Sequence, residues 1–175
     1  DDGGAILNLD DISLIPKVTE FPELISFRYN PGSRRSGNRI IGNPAESKYG
    51  VSHEQIVNAY EIAIAHGAKR FGLHTMIASN ELNYSYMVTT AQMLLELAGE
   101  ISKAVPIQFE FINIGGGLGI PYFKSDTDFD LKEFSRFVNQ AVVQFESRMS
   151  QSVDFILELG RYLVGPFGYY LSQVL

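Results

Sequence analysis

Three consecutive glycines, Gly115, Gly116 and Gly117, most constrain what this chain can fold into, because they end an apolar run that begins at Phe109. Glycines add no side-chain packing and cost conformational entropy, so they usually mark a tight turn or a close approach of another group. Backbone N–H groups in such a turn carry partial positive charge and suit an anion such as phosphate. Taken alone, the pattern fits a plain turn after a strand as well as a phosphate-binding loop.

The composition indicates one globular domain without a membrane or nucleic-acid partner. The chain has 175 residues, of which 45% are hydrophobic, and a net charge of −6. No apolar run approaches the roughly 20 residues of a membrane span, and the first residues lack the basic start of a signal peptide. The absence of cysteine removes disulfides, thiolate chemistry and the common zinc frameworks. We therefore expect a cytoplasmic protein without a metal site.

Apolar runs alternate with amphipathic segments along the chain, which predicts an α/β fold with a parallel sheet. The predicted strands are residues 5–9, 24–29, 70–74, 109–114, 153–157 and 169–175, and the predicted helices are residues 12–15, 53–66, 84–103 and 130–149. Residues 33–47 form a long loop, which we expect to be functional or disordered. Six strands fit either a complete open sheet or a (β/α)8 barrel that lacks its first two units.

Both ends of the chain look cut in sequence. Strand-like sequence follows Asp1 within a few residues without an initiator Met, and residues 169–175 resemble a strand that has barely finished. We therefore expect a fragment of a longer protein.

Polar and glycine-rich residues follow the predicted strands, at the edge where α/β proteins bind ligands. The segment ELGRYLVGP places Glu158 and Arg161 directly after a buried strand. For this pair alone, a structural salt bridge is as good an interpretation as a functional site. His74 also lies at a strand end, whereas His53 and His66 lie on or beside a helix and are expected to be surface residues.

Six motifs in order give the chain a specific resemblance to a known family. They read NLDDI, FRYNPG, SKYGV, GLHTMIASNE, INIGGGLGIPY and ELGRYLVGP. In this order they resemble the fold-type III pyridoxal-phosphate decarboxylases, and within them the diaminopimelate branch. The resemblance implies a TIM barrel of the alanine racemase-like type, of which residues 1–175 span about strands 3 to 8, without the first strands and the C-terminal β domain.

The resemblance also implies roles for individual residues. The glycine turn, Ser79 and Arg161 hold the cofactor phosphate, and Arg161 also binds the substrate carboxylate. Glu158 keeps the pyridine nitrogen protonated, so that the ring can accept electrons when carbon dioxide leaves. Glu158 and His74 are the predicted catalytic residues. The predicted cofactor-binding residues are Arg28, Met76, Ser79, Gly115, Gly116, Gly117, Glu158, Gly160 and Arg161.

The chain departs from the family pattern at two positions and by two absences. Met76 occupies the position of a histidine that lies on the cofactor ring, and Leu159 replaces the usual proline. The lysine that binds the cofactor covalently belongs to an earlier strand, and a cysteine-bearing second domain completes the site of the homodimer. We therefore expect the parent protein to decarboxylate meso-2,6-diaminopimelate to L-lysine, and this piece alone to be inactive.

Three alternatives stay open at this point. Ornithine, arginine and carboxynorspermidine decarboxylases share these motifs, and the residues that separate the substrates belong largely to the second domain. Met76 and the missing lysine also fit a non-catalytic, cofactor-binding remnant. A barrel that binds a plain sugar phosphate is the third alternative, but it gives Glu158 no obvious use.

Overall fold

The computed structural model of the protein describes residues 4–38 and 40–173. Its centre is a five-stranded parallel sheet in which each strand pairs with the strand before it in sequence. The strands are β1 (Leu7–Leu9), β2 (Leu24–Arg28), β3 (Arg70–His74), β4 (Phe109–Asn113) and β5 (Asp154–Ile156). Five of the six predicted strands, their parallel pairing and their order are thus confirmed.

Helices follow the strands, as the alternating pattern predicts. The α-helices are α1 (Ile56–Ala65), α2 (Tyr84–Ala104), α3 (Leu131–Met149) and α4 (Gly160–Val164). Among the described residues, four short 3-10 helices cover Ile12–Lys17, Gly32–Arg34, Pro44–Glu46 and Gly165–Phe167. The predicted bounds of α2 and α3 are confirmed to within one residue at each end, whereas α1 begins three residues later than predicted.

Side-chain caps fix where the two long helices begin. Asn83 accepts a hydrogen bond from the backbone N–H of Ser85 at 3.0 Å, and Asp130 accepts one from Glu133 at 2.9 Å. Each such cap stabilises a helix by about 1 kcal/mol. Helix α3 ends where Ser150 adopts a left-handed backbone conformation with φ of 53°.

The main hydrophobic core lies between the helices and one face of the sheet, with Tyr60 at its centre. The fully buried Tyr60 ring meets Phe27, Phe71 and Phe109 edge-on, with centroids 5.0, 5.9 and 5.3 Å away. Its hydroxyl donates to the carbonyl of Gly72 at 2.7 Å. One aromatic side chain on α1 therefore holds three neighbouring strands together.

The opposite face of the sheet carries a different set of residues, because side chains alternate along a strand. The Phe111 ring covers Gly72 so closely that a Cβ atom at position 72 would overlap it. At the carboxyl ends, Arg28 pairs in register with His74, which pairs with Asn113. Polar side chains are therefore gathered at one edge of this face.

The predicted sixth strand is wrong for the residues that the structure describes. Residues 169–173 form no strand, and Tyr169, Tyr170 and Leu171 are each more than 90% exposed. Val174 and Leu175 lie outside the described residues. The segment is apolar in sequence, but no strand among the described residues lies beside it to supply backbone hydrogen bonds. Within the described part of the chain, no helix is long and apolar enough to cross a membrane.

Candidate functional site

Four polar side chains form a row across the carboxyl edge of the sheet. Asn8 Nδ2 lies 2.9 Å from His74 Nδ1, and His74 Nε2 lies 3.8 Å from Glu158 Oε1. Asn113 Nδ2 donates to the same Glu158 oxygen at 2.9 Å. The row connects β1, β3, β4 and the end of β5, so it depends on the parallel order of the strands.

His74 is the buried member of this row, with 6% of its surface exposed. The 3.8 Å separation from Glu158 is too long for a hydrogen bond, and Nε2 has no hydrogen-bond partner among the described residues. Burial lowers the pKa of the His74 imidazole, the Glu158 carboxylate opposes this shift, and the Arg28 charge adds to it. The net shift favours the neutral imidazole.

Asn113 joins Glu158 to the glycine turn. Its Oδ1 accepts from the N–H of Gly115 at 2.8 Å, while its Nδ2 holds the Glu158 carboxylate. The backbone repeats this connection, because the Glu158 N–H donates to the Gly115 carbonyl at 2.9 Å. A Cβ atom at Gly116 would overlap the Glu158 carbonyl oxygen. The end of β5 can therefore approach the turn only because position 116 is glycine.

The other two glycines of the turn, Gly115 and Gly117, allow the loop after β3 to approach it closely. Gly115 and Gly117 have φ angles of +71° and +114°, which side chains rarely tolerate. A Cβ atom at these positions would lie 2.6 Å from the Thr75 carbonyl oxygen and 2.7 Å from that of Ala78. The predicted close approach is confirmed, and the groups that approach are neighbouring backbones. A phosphate on this turn stays a prediction.

Met76 contacts the turn from the other side. Its sulfur accepts from the Gly116 N–H at 3.2 Å, and its carbonyl accepts from Arg28 Nη2 at 3.1 Å. Arg28 and Met76 line a cavity of about 550 Å³ together with Lys48 and Tyr49. This volume lies within the range of small-molecule sites, about 300–1,000 Å³.

Arg161 and Ser79 lie further out. Arg161 lies over the Tyr122 ring, 5.8 Å from its centroid, in a cleft of about 670 Å³ that Asn80 also lines. The Ser79 N–H donates to Asn38 Oδ1 at 3.2 Å. The structure therefore brings Glu158, His74, Met76, Arg28 and the glycine turn together and places Arg161 in a neighbouring cleft. No described protein atom lies close to Gly160, since a Cβ atom there would meet nothing within 4 Å, and its contact with the cofactor stays a prediction.

Three asparagines that sequence reasoning missed organise the site: Asn8, Asn38 and Asn113. The buried Asn38 ties the loop of residues 33–47 to the loop after β3, since its Nδ2 donates to Glu81 Oε2 at 2.6 Å. Arg35 adds to this connection by donating to the Tyr86 carbonyl at 2.6 Å. Arg35 and Asn38 therefore anchor this loop to α2 and to the loop after β3. Asn8 and Asn113 could have been found from the sequence, because the alternation of side chains along a strand places both on the same face of the sheet as His74.

The residues present fit the cofactor that the resemblance implies. Pyridoxal phosphate is held by positive or N–H groups at its phosphate, and a carboxylate beside its ring nitrogen keeps that nitrogen protonated. The cavity is lined by two cationic side chains, Arg28 and Lys48, and by one carboxylate, that of Glu46. The carboxylate is that of Glu158, and the buried Nε2 of His74 has no hydrogen-bond partner among the described residues.

Known proteins with similar sequences point to the same family. Residues 5–165 match the family model described as the pyridoxal binding domain of pyridoxal-dependent decarboxylases. Protein TabA of Pseudomonas amygdali pv. tabaci is 34% identical over 98% of this chain and 40% of its own length. A diaminopimelate decarboxylase of Thermoplasma acidophilum is 32% identical over 99% of this chain and 42% of its own. The chain thus spans about two fifths of the curated relatives it matches.

A solved structure supports the fold. The diaminopimelate decarboxylase from M. jannaschii, in co-complex with L-lysine, superposes with a TM-score of 0.75 at 24% identity, over 90% of this chain and 38% of that one. The five parallel strands are thus part of an incomplete barrel. Together with the match over residues 5–165, this shows that the chain belongs to the pyridoxal-dependent decarboxylases, as part of their pyridoxal-binding domain, whose cofactor is pyridoxal phosphate.

Proposed function

We propose that the protein carrying this chain decarboxylates meso-2,6-diaminopimelate to L-lysine with pyridoxal phosphate. The observation that carries the proposal is the Glu158 carboxylate, held by Asn113 beside the glycine turn and facing His74. The relative from Thermoplasma acidophilum, named diaminopimelate decarboxylase, supports this substrate. We also propose that chain outside these residues completes the barrel and that the full-length protein is a homodimer.

Glu158 and His74 have separate tasks in this proposal. Bound pyridoxal phosphate supplies an electron sink for the bond to the leaving carboxylate. The Glu158 carboxylate holds a proton at the pyridine nitrogen, and Asn113 keeps it oriented by hydrogen bonding one oxygen. Burial favours the neutral form of His74, which still carries one ring N–H that can donate a hydrogen bond to a bound group.

The other predicted site residues bind the anionic groups of the cofactor and the substrate in this proposal. The glycine turn and Ser79 are the proposed hydrogen-bond donors to the cofactor phosphate, and Arg161 adds a positive charge. Because the N–H groups of Gly115 and Gly116 bind Asn113 and the Met76 sulfur, the N–H of Gly117 is the donor that the turn offers here. A guanidinium also binds a carboxylate through two parallel hydrogen bonds, so Arg161 is the proposed substrate ligand. Arg28 faces the cavity from β2 while donating to the Met76 carbonyl, and it supplies a further cation there.

Two other candidates stay open. One is a related decarboxylase that acts on ornithine, arginine or carboxynorspermidine, and the other is a remnant that binds the cofactor without catalysis. Met76 favours the remnant, because its sulfur contacts the Gly116 N–H at the position where the family resemblance implies a ring-stacking histidine. A thioether packs against an aromatic ring but holds no proton at neutral pH.

The replacement Glu158→Gln in the intact protein tests the proposal. The amide fills the same space but cannot hold a proton on the ring nitrogen, so cofactor binding should survive while decarboxylation falls about 100-fold or more. The measurements are cofactor absorbance after dialysis and single-turnover release of carbon dioxide from diaminopimelate. Glu61→Gln, an equal change on the exposed surface of α1, is the control. Normal turnover by Glu158→Gln would overturn the assignment.

A further inference from the structure

The His74 ring lies between a hydrogen-bond donor and an acceptor. The donor is the amide of Asn8 at one ring nitrogen, and the acceptor is the carboxylate of Glu158 near the other. Asn8 Nδ2 lies 2.9 Å from Nδ1, and Glu158 Oε1 lies 3.8 Å from Nε2. Both groups come from outer strands of the sheet, whereas His74 is on the central strand. The ring is buried and therefore cannot exchange these neighbours for water.

The backbone register lets Asn8 reach the ring from two strands away. Asn8 pairs with Ser26 of β2, and Ser26 pairs with Gly72 of β3. All three positions face the same side as His74, because side chains alternate along parallel strands. Ser26 and Gly72 are small, so no bulky side chain separates the amide from the imidazole.

The chemistry of the two side chains then determines where the imidazole proton lies. An amide Nδ2 group is only a donor, so the nitrogen that it contacts must accept. A neutral imidazole has a single N–H, which is then on Nε2. This N–H points toward the Glu158 carboxylate and toward the place where the proposed cofactor meets it.

We propose that Asn8 is a positioning residue that fixes His74 as the Nε2–H tautomer. The inference rests on the proposed function, because it places the Nε2–H group of His74 beside Glu158, in the proposed cofactor site. It also explains how a site with Met76 in place of a histidine retains an imidazole donor. The other two histidines cannot take this role, since His53 precedes α1 and contacts Tyr29, and His66 caps the end of α1.

Nitrogen NMR of histidine-labelled protein tests the tautomer directly. The intact protein is measured at about pH 7.5, where a neutral ring shows which nitrogen is protonated, and His74→Gln identifies the His74 signals. The unchanged protein should show a protonated Nε2 and an unprotonated Nδ1. In Asn8→Asp, the carboxylate can only accept, so Nδ1 should become protonated. Asn139→Asp, the same change on the exposed face of α3, should leave the His74 signals unchanged.

The outcomes separate this proposal from the proposed function. A proton on Nδ1 in the unchanged protein, or unaltered signals in Asn8→Asp, would overturn the role of Asn8. Because the unchanged protein is measured first, a variant that fails to fold does not remove the test. Asn8→Asp should retain the cofactor but lose about tenfold or more in kcat, and an unchanged kcat would contradict a positioning role. Failure of the proposed function would instead appear as no decarboxylation by the unchanged protein, whatever its tautomer.

Discussion

At the scale of single residues, the Arg161 side chain lies away from Glu158 although only three positions separate the two in sequence. It lies over Tyr122 in its own cleft, and no ion pair joins it to Glu158 among the described residues. The guanidinium charge is therefore not neutralised by the site's own carboxylate. Two carboxylates, those of Glu81 and Asp126, also line the cleft, so an anion that binds Arg161 competes with them.

We predict that Arg161→Ala weakens the binding of both cofactor and substrate. Losing one charged hydrogen bond costs about 1.5–3 kcal/mol, or roughly ten- to a hundredfold in affinity. Absorbance titration gives the cofactor Kd, and steady-state kinetics give KM for diaminopimelate. Arg136→Ala is the matched control, because Arg136 pairs with Glu133 on the exposed side of α3. Binding of both ligands as in the unchanged protein would show that Arg161 has no role in the site.

The sequence predicts which residues reach the carboxyl edge better than it predicts what they contact. The position of Glu158 after an apolar run is enough to place it at a strand end, and its link to the glycine turn is found there. The bond between Asn8 and His74 joins residues 66 positions apart. Such a contact depends on strand order and register, which no local pattern in the sequence specifies.

At the scale of elements, the glycine turn acts as the junction between the loops after β3 and β5. We predict that Gly116→Ala destabilises the protein by about 1–3 kcal/mol, the usual cost of overpacking. The added methyl group would push the Glu158 carbonyl away, so retention of pyridoxal phosphate should fall as well. The urea midpoint and cofactor absorbance after dialysis measure the two effects.

A second glycine provides the control for this experiment. A Cβ atom at Gly99 within α2 would meet only the ends of two flexible side chains, Arg148 at 3.3 Å and Met149 at 3.7 Å. Gly99→Ala should therefore leave stability unchanged or raise it, since alanine favours a helix by up to about 1 kcal/mol. Equal stability of the Gly116→Ala protein and the unchanged protein would contradict the role given to the turn.

Buried strands and amphipathic helices were predictable because hydrophobic periodicity reports burial directly. The five confirmed strands each have a neighbour in the sheet, whereas residues 169–173 do not pair. An apolar run predicts a strand only on the assumption that a partner strand exists. Residues 169–171 satisfy the pattern but remain more than 90% exposed.

At the scale of the whole molecule, the sheet has open edges at β1 and β5, and an exposed apolar segment follows α4. Unpaired backbone groups and apolar patches promote association. We predict that the isolated chain forms oligomers whose mass rises with concentration, as measured by light scattering. Tyr170→Lys should reduce this association, whereas Val143→Lys on exposed α3 should not. A monodisperse monomer with a sharp, cooperative melt would contradict the prediction.

The strand order has a consequence for how the sheet is made during synthesis. Each strand from β2 to β5 pairs with the one that precedes it in the chain, so each of these strands finds its neighbour already present when it leaves the ribosome. Domains form from the N-terminal side during translation, at about 5–20 residues per second. The longest separation between paired strands, from β2 to β3, is bridged by α1 and its loop. The sheet can therefore grow vectorially, with a single advancing edge at every stage.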